Sequence, residues 1–138
     1  MQRIRKVAAG QVASNRRRGG DIRVVLGPGT AGATTGFLGV LRLGPGEYVS
    51  EHYHPYSEEF LYVIEGAVTV RVAGEPVGLV AGEGLVVPIG TRHRVENPTR
   101  EPAEAVFHLC PLAPRPELGH VDTEPLPAPH LPQPEVTR

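Results

Sequence analysis

Residues 46–66 of this chain read GEYVSEHYHPYSEEFLYVIEG, and this stretch decides the fold together with residues 82–97, which read GEGLVVPIGTRHRVEN. Each stretch starts at a glycine and carries histidine, with His52 and His54 in the first stretch and His93 in the second. Fifteen residues separate the two stretches. The histidine pair of the first stretch and the single histidine of the second are the most informative feature of the chain.

Four side chains in these stretches are candidate metal ligands. His52 and His54 are two positions apart, so in a strand they face the same side and can bind one ion. Glu59 follows in the first stretch, and His93 lies in the second. Three imidazoles and a carboxylate suit a small divalent ion, so the sequence predicts a metal site.

The two stretches resemble the first and second cupin motifs at every fixed position and in the same order. The resemblance is strict over residues 46–97 and extends in strand rhythm over residues 20–115. It implies an all-β fold, an antiparallel jelly-roll β-barrel. It also implies that the two histidine-bearing strands share one sheet and that the strand of Glu59 belongs to the facing sheet. The motif spacing selects Glu59 rather than Glu58 as the residue that points inward.

The remaining sequence also has the pattern of a β-protein, with almost no helical periodicity. Glycine and proline interrupt nearly every gap between apolar runs. Short strands with such turns favour an antiparallel sandwich or barrel. The predicted strands are 22–26, 35–43, 48–54, 59–65, 67–73, 76–80, 85–88, 92–97 and 103–110.

His108 is a further candidate in the predicted strand 103–110, which we expect in the same sheet as the strand of Glu59. If Val106, His108 and Cys110 share the inner face, His108 binds the ion or contacts its ligands. The alternative is an ordinary core histidine. The fourth protein ligand is therefore Glu59 or His108, and whichever of these is unligated is a candidate general base.

Three segments are predicted along the chain: a basic arm at 1–20, the barrel at 21–115 and a proline-rich tail at 116–138. Seven of the 14 lysines and arginines lie in the first 23 positions. The tail prolines cannot supply ladder hydrogen bonds and favour extended, solvated backbone. We expect the arm to cover an open barrel edge of a partner in a homodimer. The two tail histidines, His120 and His130, are not assigned to the metal.

Composition excludes several classes of partner. The chain has 138 residues and a formal net charge of −1, which fits one domain and demands neither nucleic acid nor an anionic membrane. No segment has the length of a membrane span, and the N-terminus lacks the apolar stretch of a secretory signal. Cys110 is the single cysteine, so no internal disulfide is possible and a cytoplasmic location is expected.

Longer strings narrow the resemblance to one kind of cupin. EHYHPYSEEFLYVIEG at 51–66, VPIGTRHRVEN at 87–97 and FHLCPLAPRPELGHVDTE at 107–124 resemble small single-domain cupins of bacterial aromatic polyketide pathways. These are cyclases of the tetracenomycin and resistomycin type. The resemblance implies an enzyme that closes rings in a poly-β-ketone chain by an aldol-type reaction, as a homodimer with one divalent metal ion, zinc favoured. The polyketide is either free or borne by an acidic carrier protein, which the basic arm would meet.

Two other functions stay open at this point. Three histidines and a glutamate suit Fe²⁺ as well as Zn²⁺, so an iron-dependent dioxygenase is one alternative, and manganese and nickel also fit the ligands. The other alternative is a non-catalytic helper that binds the polyketide for another enzyme. The sequence does not name the substrate or the ring that is closed.

Overall fold

The computed structural model of this chain describes residues 3–133 and consists mainly of short strands joined by tight turns. Within these residues, no helix is long and apolar enough to span a membrane. The regular elements are β1 (Asp21–Leu26), α1 (Pro28–Ala31), β2 (Phe37–Leu43), β3 (Tyr48–Tyr53), β4 (Glu58–Glu65), β5 (Ala67–Val72), β6 (Glu75–Val80), β7 (Gly84–Val87), β8 (His93–Glu96), β9 (Ala103–Cys110) and β10 (Val121–Asp122).

The strands form two facing five-stranded sheets, with the orders β1-β2-β9-β4-β7 and β10-β3-β8-β5-β6. Every pair of neighbouring strands is antiparallel. The predicted all-β jelly roll is confirmed, and all nine predicted strands form with ends that agree within two residues. The histidine-bearing strands β3 and β8 share one sheet, and β4 with Glu59 lies in the other, as predicted.

Alternation along the strands places the core between the two sheets. On β5, Val68 and Val70 are buried while Arg71 is exposed. On β4, Leu61 and Val63 are buried between exposed neighbours. Each such aliphatic side chain contributes roughly 1.5–3 kcal/mol when it is buried. The core therefore fixes which residues of β3, β4 and β8 can face the interior.

The two histidine-bearing stretches, 46–66 and 82–97, are joined at their outer ends by Asn97. Its backbone carbonyl accepts from the Gly46 amide at 2.9 Å, and its own amide donates to the carbonyl of Glu47 at 2.9 Å. Its buried side-chain amide donates to the carbonyls of Leu43, at 3.0 Å, and Glu101, at 2.8 Å. The last residue of the second motif thus holds the first residue of the first motif, and its role is structural.

Gly66 is required at the turn between β4 and β5 for two reasons. Its φ of +74° is in the left-handed region, and a Cβ there would overlap the Pro102 carbonyl oxygen and lie 3.0 Å from the Ala103 Cα. We expect Gly66→Ala to lower the free energy of unfolding by on the order of 3 kcal/mol, from backbone strain plus overlap. Denaturant unfolding of the metal-free protein measures this change.

Gly46 provides a matched control for that substitution. Its φ is +77°, but a Cβ would meet nothing within 4 Å. Gly46→Ala should therefore lower the free energy of unfolding only by the backbone strain, about 1 kcal/mol. Equal losses for the two variants would show that the contact with Pro102 is unimportant.

The N-terminal arm lies on its own barrel from Asn15 onward. The Asn15 and Ile22 backbones exchange hydrogen bonds of 2.7 and 3.1 Å, and the Ser50 amide donates to the Arg18 carbonyl at 3.0 Å. The Arg17 guanidinium donates to the carbonyls of Pro129, at 2.9 Å, and Leu131, at 3.0 Å. This part of the arm therefore has hydrogen-bond partners within its own chain. Its crossing to a partner barrel stays a prediction.

The proline-rich tail is also part of the fold, and we call residues 116–133 the C-terminal strap. Its strand β10 pairs with β3, with Asp122 opposite His52. The Thr123 amide donates to the Glu51 carbonyl at 3.0 Å, and the Glu124 carboxylate accepts from the Glu51 amide at 2.8 Å. The predicted boundary at 115/116 therefore does not mark the end of the sheet. Residues 134–138 of the predicted tail lie outside the described residues.

Candidate metal centre and cavity

Four buried side chains converge between the sheets at one end of the barrel. They are His52 on β3, His54 directly after it, His93 on β8 and Glu59 on β4. Each offers one donor atom, and these atoms all lie within 4.8 Å of one another. Such a group has the size and the chemistry of a site for one metal ion. Four of the five side chains proposed from sequence as ligands are thus brought together.

The three histidine rings are oriented by backbone carbonyls that accept from their Nδ1 atoms. A carbonyl can only accept, so Nδ1 carries a proton in each ring, and Nε2 is the nitrogen that can bind a metal once it carries no proton. The His52, His54 and His93 rings use the carbonyls of Ser50, Gly119 and Thr91, at 2.7, 3.0 and 3.0 Å respectively.

Glu59 completes the group from the facing sheet. It is buried while Glu58 faces the other side of β4, as the motif spacing predicted. Its Oε1 lies 3.1 Å from His54 Nε2 and 3.4 Å from His93 Nε2. Burial raises the pKa of the Glu59 carboxyl, but its contacts with His54 and His93 outweigh burial and hold this pKa well below the usual range. The carboxylate is therefore ionised, the form that binds a cation.

A second observation also indicates that these four side chains could bind a metal ion. Among residues 3–133, the buried His93 Nε2 forms no hydrogen bond, although Glu59 Oε1 lies 3.4 Å away. A buried polar atom without a partner is costly, and an ion between His93 and Glu59 would satisfy both. Burial also lowers the pKa of His52 well below its usual value, helped by His93 and His120, so that its imidazole is neutral.

His108 lies on the outer face of β9 and does not face this group. The buried residues of β9 are the odd-numbered ones from Ala103 to Leu109, so the even-numbered residues face the other way. The His108 ring instead packs on Phe60 of β4, at 5.9 Å between ring centroids. The prediction that His108 shares the inner face is wrong, because the register of β9 with β2 and β4 has the opposite phase.

Two residues that the sequence analysis did not assign lie beside the metal group. The His120 ring stacks on His52 at 4.4 Å between centroids, and its Nε2 is 2.7 Å from Asp122 Oδ1. Burial, and after it the charge of Arg18, lowers the pKa of His120 to about 2. His120 is not one of the four converging donors. His120 and Asp122 are two positions apart, a spacing that in a strand places both side chains on one face. The prolines around them argued against a strand at this point of the sequence.

A cavity of about 710 Å³ extends between the sheets from the four converging side chains His52, His54, Glu59 and His93, which we call the metal group. This volume is in the usual range for small-molecule sites. Its polar lining includes three of the four candidate ligands, His52, His54 and Glu59, together with His120 and Arg18. Much of the remaining wall is apolar and includes Phe37, Leu41, Leu61, Val95, Phe107 and Leu109.

Comparison with known families agrees with this geometry. The cupin domain family matches residues 39–109, which contain both histidine-bearing stretches. The chain belongs to the cupin family.

Similar proteins narrow the family. Tetracenomycin polyketide synthase protein TcmJ of Streptomyces glaucescens is 55% identical over 131 residues, which cover 95% of this chain and 88% of that protein. Protein SchB of Streptomyces halstedii is 58% identical over 123 residues, 89% of each chain. The resemblance of this cupin to the small proteins of polyketide pathways is thus confirmed.

A solved structure supports the fold. The polyketide cyclase RemF of Streptomyces resistomycificus superimposes with a TM-score of 0.71 over 93% of this cupin and 91% of that chain. Its sequence identity is 16%, so this likeness concerns the jelly roll alone.

Proposed function

We propose that this cupin promotes the aldol-type cyclisation of a poly-β-ketone intermediate in aromatic polyketide biosynthesis. The observation that carries the proposal is the group of four buried metal-binding side chains at one end of a largely apolar cavity of about 710 Å³. The similarity to TcmJ supports the pathway, since TcmJ is a tetracenomycin polyketide synthase protein.

We infer that the cavity holds one divalent ion, bound by His52, His54, Glu59 and His93, with zinc favoured. The three Nε2 lone pairs and the carboxylate suit iron, manganese and nickel as well. When bound, such an ion supplies Lewis-acid polarisation of a carbonyl oxygen. Glu59 is assigned as the fourth ligand rather than as a base, because its pKa is held low by His54 and His93 against the effect of burial.

The cavity walls contribute orientation. A poly-β-ketone is flexible, and aldol closure requires one carbon to lie close to one distant carbonyl. The apolar side chains exclude water and restrict the chain to a few folded forms, which lowers the entropic part of the barrier. Phe107 and Leu109 from β9 and Leu61 from β4 form such a wall.

Turnover by the isolated protein tests this proposal. We expect the metal-loaded protein to convert a synthetic poly-β-ketone thioester to a ring-closed product at least about tenfold faster than buffer containing the same ion, a modest fraction of common enzymatic accelerations. Product analysis by mass spectrometry and oxygen uptake are measured together. Oxygen consumption with an oxidised product would favour the dioxygenase, and tight binding without turnover would favour the non-catalytic helper.

We also propose that the protein is a homodimer, with a second copy covering the outer face of the β1-β2-β9-β4-β7 sheet. Phe60, Tyr62 and Ile64 of β4 are exposed on this face by 41%, 50% and 44%. Contiguous exposed apolar side chains mark interaction surfaces. The position of His108 next to Phe60 places it on this surface as well.

The remaining partners belong to the same proposal. A cytoplasmic location fits a biosynthetic protein with one cysteine. An acidic carrier protein would deliver the polyketide, and the exposed basic residues of the arm, Arg3, Arg5, Lys6 and Arg16, suit such a partner.

A further inference from the structure

Arg18 differs from the other residues of the basic run Arg16-Arg17-Arg18 because it enters the cavity. It lines the cavity wall, and its side chain is 12% exposed, whereas that of Arg16 is 53% exposed. Arg17 is used to hold the C-terminal strap. A guanidinium in a largely apolar cavity needs a partner to offset the loss of hydration.

The partner that Arg18 has within the chain is incomplete. Among residues 3–133, its side chain forms one hydrogen bond, from Nε to Asp122 Oδ1 at 3.4 Å. A guanidinium has five N–H donors, so the four on Nη1 and Nη2 have no acceptor in the described part of the chain. Asp122 is also shared, because its Oδ1 accepts from His120 Nε2 at 2.7 Å. Burial lowers the pKa of Arg18, and the attraction of Asp122 offsets only part of this effect.

Arg18 lies on the same wall of the cavity as the metal group. Asp122, its partner, is opposite His52 in the ladder between β10 and β3. His120, which also contacts Asp122, stacks directly on His52. A ligand in the cavity can therefore reach the metal group and the free edge of the Arg18 guanidinium together.

We propose that Arg18 binds an anionic oxygen of the substrate, a carboxylate or an enolate, through its Nη1 and Nη2 groups. The fork of a guanidinium matches two coplanar oxygens, which a carboxylate and an enolised β-diketone both present. The identity of the substrate rests on the proposed function, since a poly-β-ketone supplies both kinds of oxygen. The anion site itself rests on the burial and the unused donors of Arg18.

Binding of matched small ligands to the full-length protein tests the inference. The probes are 2-naphthoate, its neutral analogue 2-acetylnaphthalene and a naphthyl 1,3-diketone, titrated by calorimetry into metal-loaded and chelator-treated protein. We expect Arg18→Met to weaken naphthoate binding on the order of 10–100-fold in both forms, the usual effect of losing a charge-assisted hydrogen bond. The neutral ketone should change by less than about twofold, because it lacks the charge. Arg16→Met, the matched control, should leave all three affinities unchanged.

The neutral ketone, the metal-free protein and Arg18→Lys show why naphthoate affinity falls. An equal loss for naphthoate and the neutral ketone would overturn the inference, because it would mean that the cavity has changed shape. A loss of naphthoate affinity that vanishes on metal removal would also overturn it, because the carboxylate would then be a metal ligand. Arg18→Lys, which keeps the charge without the fork, should retain part of the affinity even where Arg18→Met folds poorly. If Arg18→Lys bound naphthoate no more tightly than the neutral ketone, this result would contradict an anion site at Arg18.

The diketone identifies which oxygen is bound, and turnover separates this inference from the proposed function. An Arg18-dependent affinity for the diketone that rises as it ionises assigns the enolate, and one confined to naphthoate assigns the carboxylate. Arg18-dependent binding without cyclisation of the thioester would leave the anion site standing and remove the proposed function. If the protein cyclises the thioester but Arg18→Met leaves its naphthoate affinity unchanged, the inference about Arg18 is wrong and the proposed function stands.

Discussion

His93→Ala should be isolated with almost no bound metal and should lose cyclisation activity. His93 is 1% exposed, and its Nε2 is the buried atom that a bound ion would satisfy. Alanine would leave two imidazoles and one carboxylate, with a hole where the third imidazole was. Substitutions that only affect residues behind the ligands already lower metal affinity by roughly 10–100-fold, so loss of a ligand should exceed 100-fold. Elemental analysis per chain, with a competing chelator to give the affinity, measures the effect.

His108→Ala and His130→Ala are the controls for this prediction. His108 packs on Phe60 outside the barrel, and His130 is exposed, so both variants should keep one ion per chain. Metal loss in His108→Ala would restore His108 as a ligand and show that β9 changes its register in solution. A fully loaded His93→Ala variant would instead remove His93 from the site.

A chain that ends at Leu118 should bind metal on the order of 10–100-fold more weakly than the full chain, the effect expected for removing the partner of a ligand. The truncation removes the Gly119 carbonyl, which accepts from His54 Nδ1 and orients that ring. It also removes His120, which stacks on His52, and the strand that pairs with β3. The metal-free protein should unfold at lower denaturant concentration as well, because the edge of the β3 sheet loses its neighbour.

A chain that ends at Gln133 provides the matched control. It keeps the C-terminal strap, including the contacts of Arg17 with Pro129 and Leu131. Its metal affinity and unfolding midpoint should equal those of the full chain. If the chain ending at Leu118 also binds metal normally while its stability falls, the strap supports the sheet and has no influence on His54.

The period-two pattern predicted the strands and most of the metal group because both depend on neighbours along the chain. His52 and His54 share a face by their spacing, and the motif placed Glu59 inward and Glu58 outward before any contact was known. Glycine and proline in the turns then limited where strands could begin and end. Alternation along the chain was sufficient to predict which side chains face the interior wherever one face of a strand was clearly more polar than the other.

The 103–110 strand shows where that reasoning failed. Its sequence AEAVFHLC has apolar residues on both faces, so alternation alone does not say whether Phe107 or His108 points inward. The register decides it, since Phe107 is opposite both Leu61 of β4 and Gly39 of β2. A side chain at Gly39 would collide with the Phe107 ring, which shows how closely the two pack. The outer sheet face that results also carries exposed apolar residues, so hydrophobicity did not distinguish the two sides.

The sequence by itself determined the jelly roll and three of the candidate metal ligands, His52, His54 and His93, and it left the fourth between Glu59 and His108. Turn chemistry, strand alternation and fixed motif offsets are properties of the local chain. Only the tertiary structure decided what surrounds that group. Every residue has a carbonyl, so nothing in the sequence marks the one at Gly119 that orients His54. Eight prolines after Cys110 concealed a strap that places His120 and Asp122 against the site. In the sequence, Arg18 is indistinguishable from its neighbours in the basic run. Only the fold shows that it is largely buried, because burial depends on contacts between distant parts of the chain.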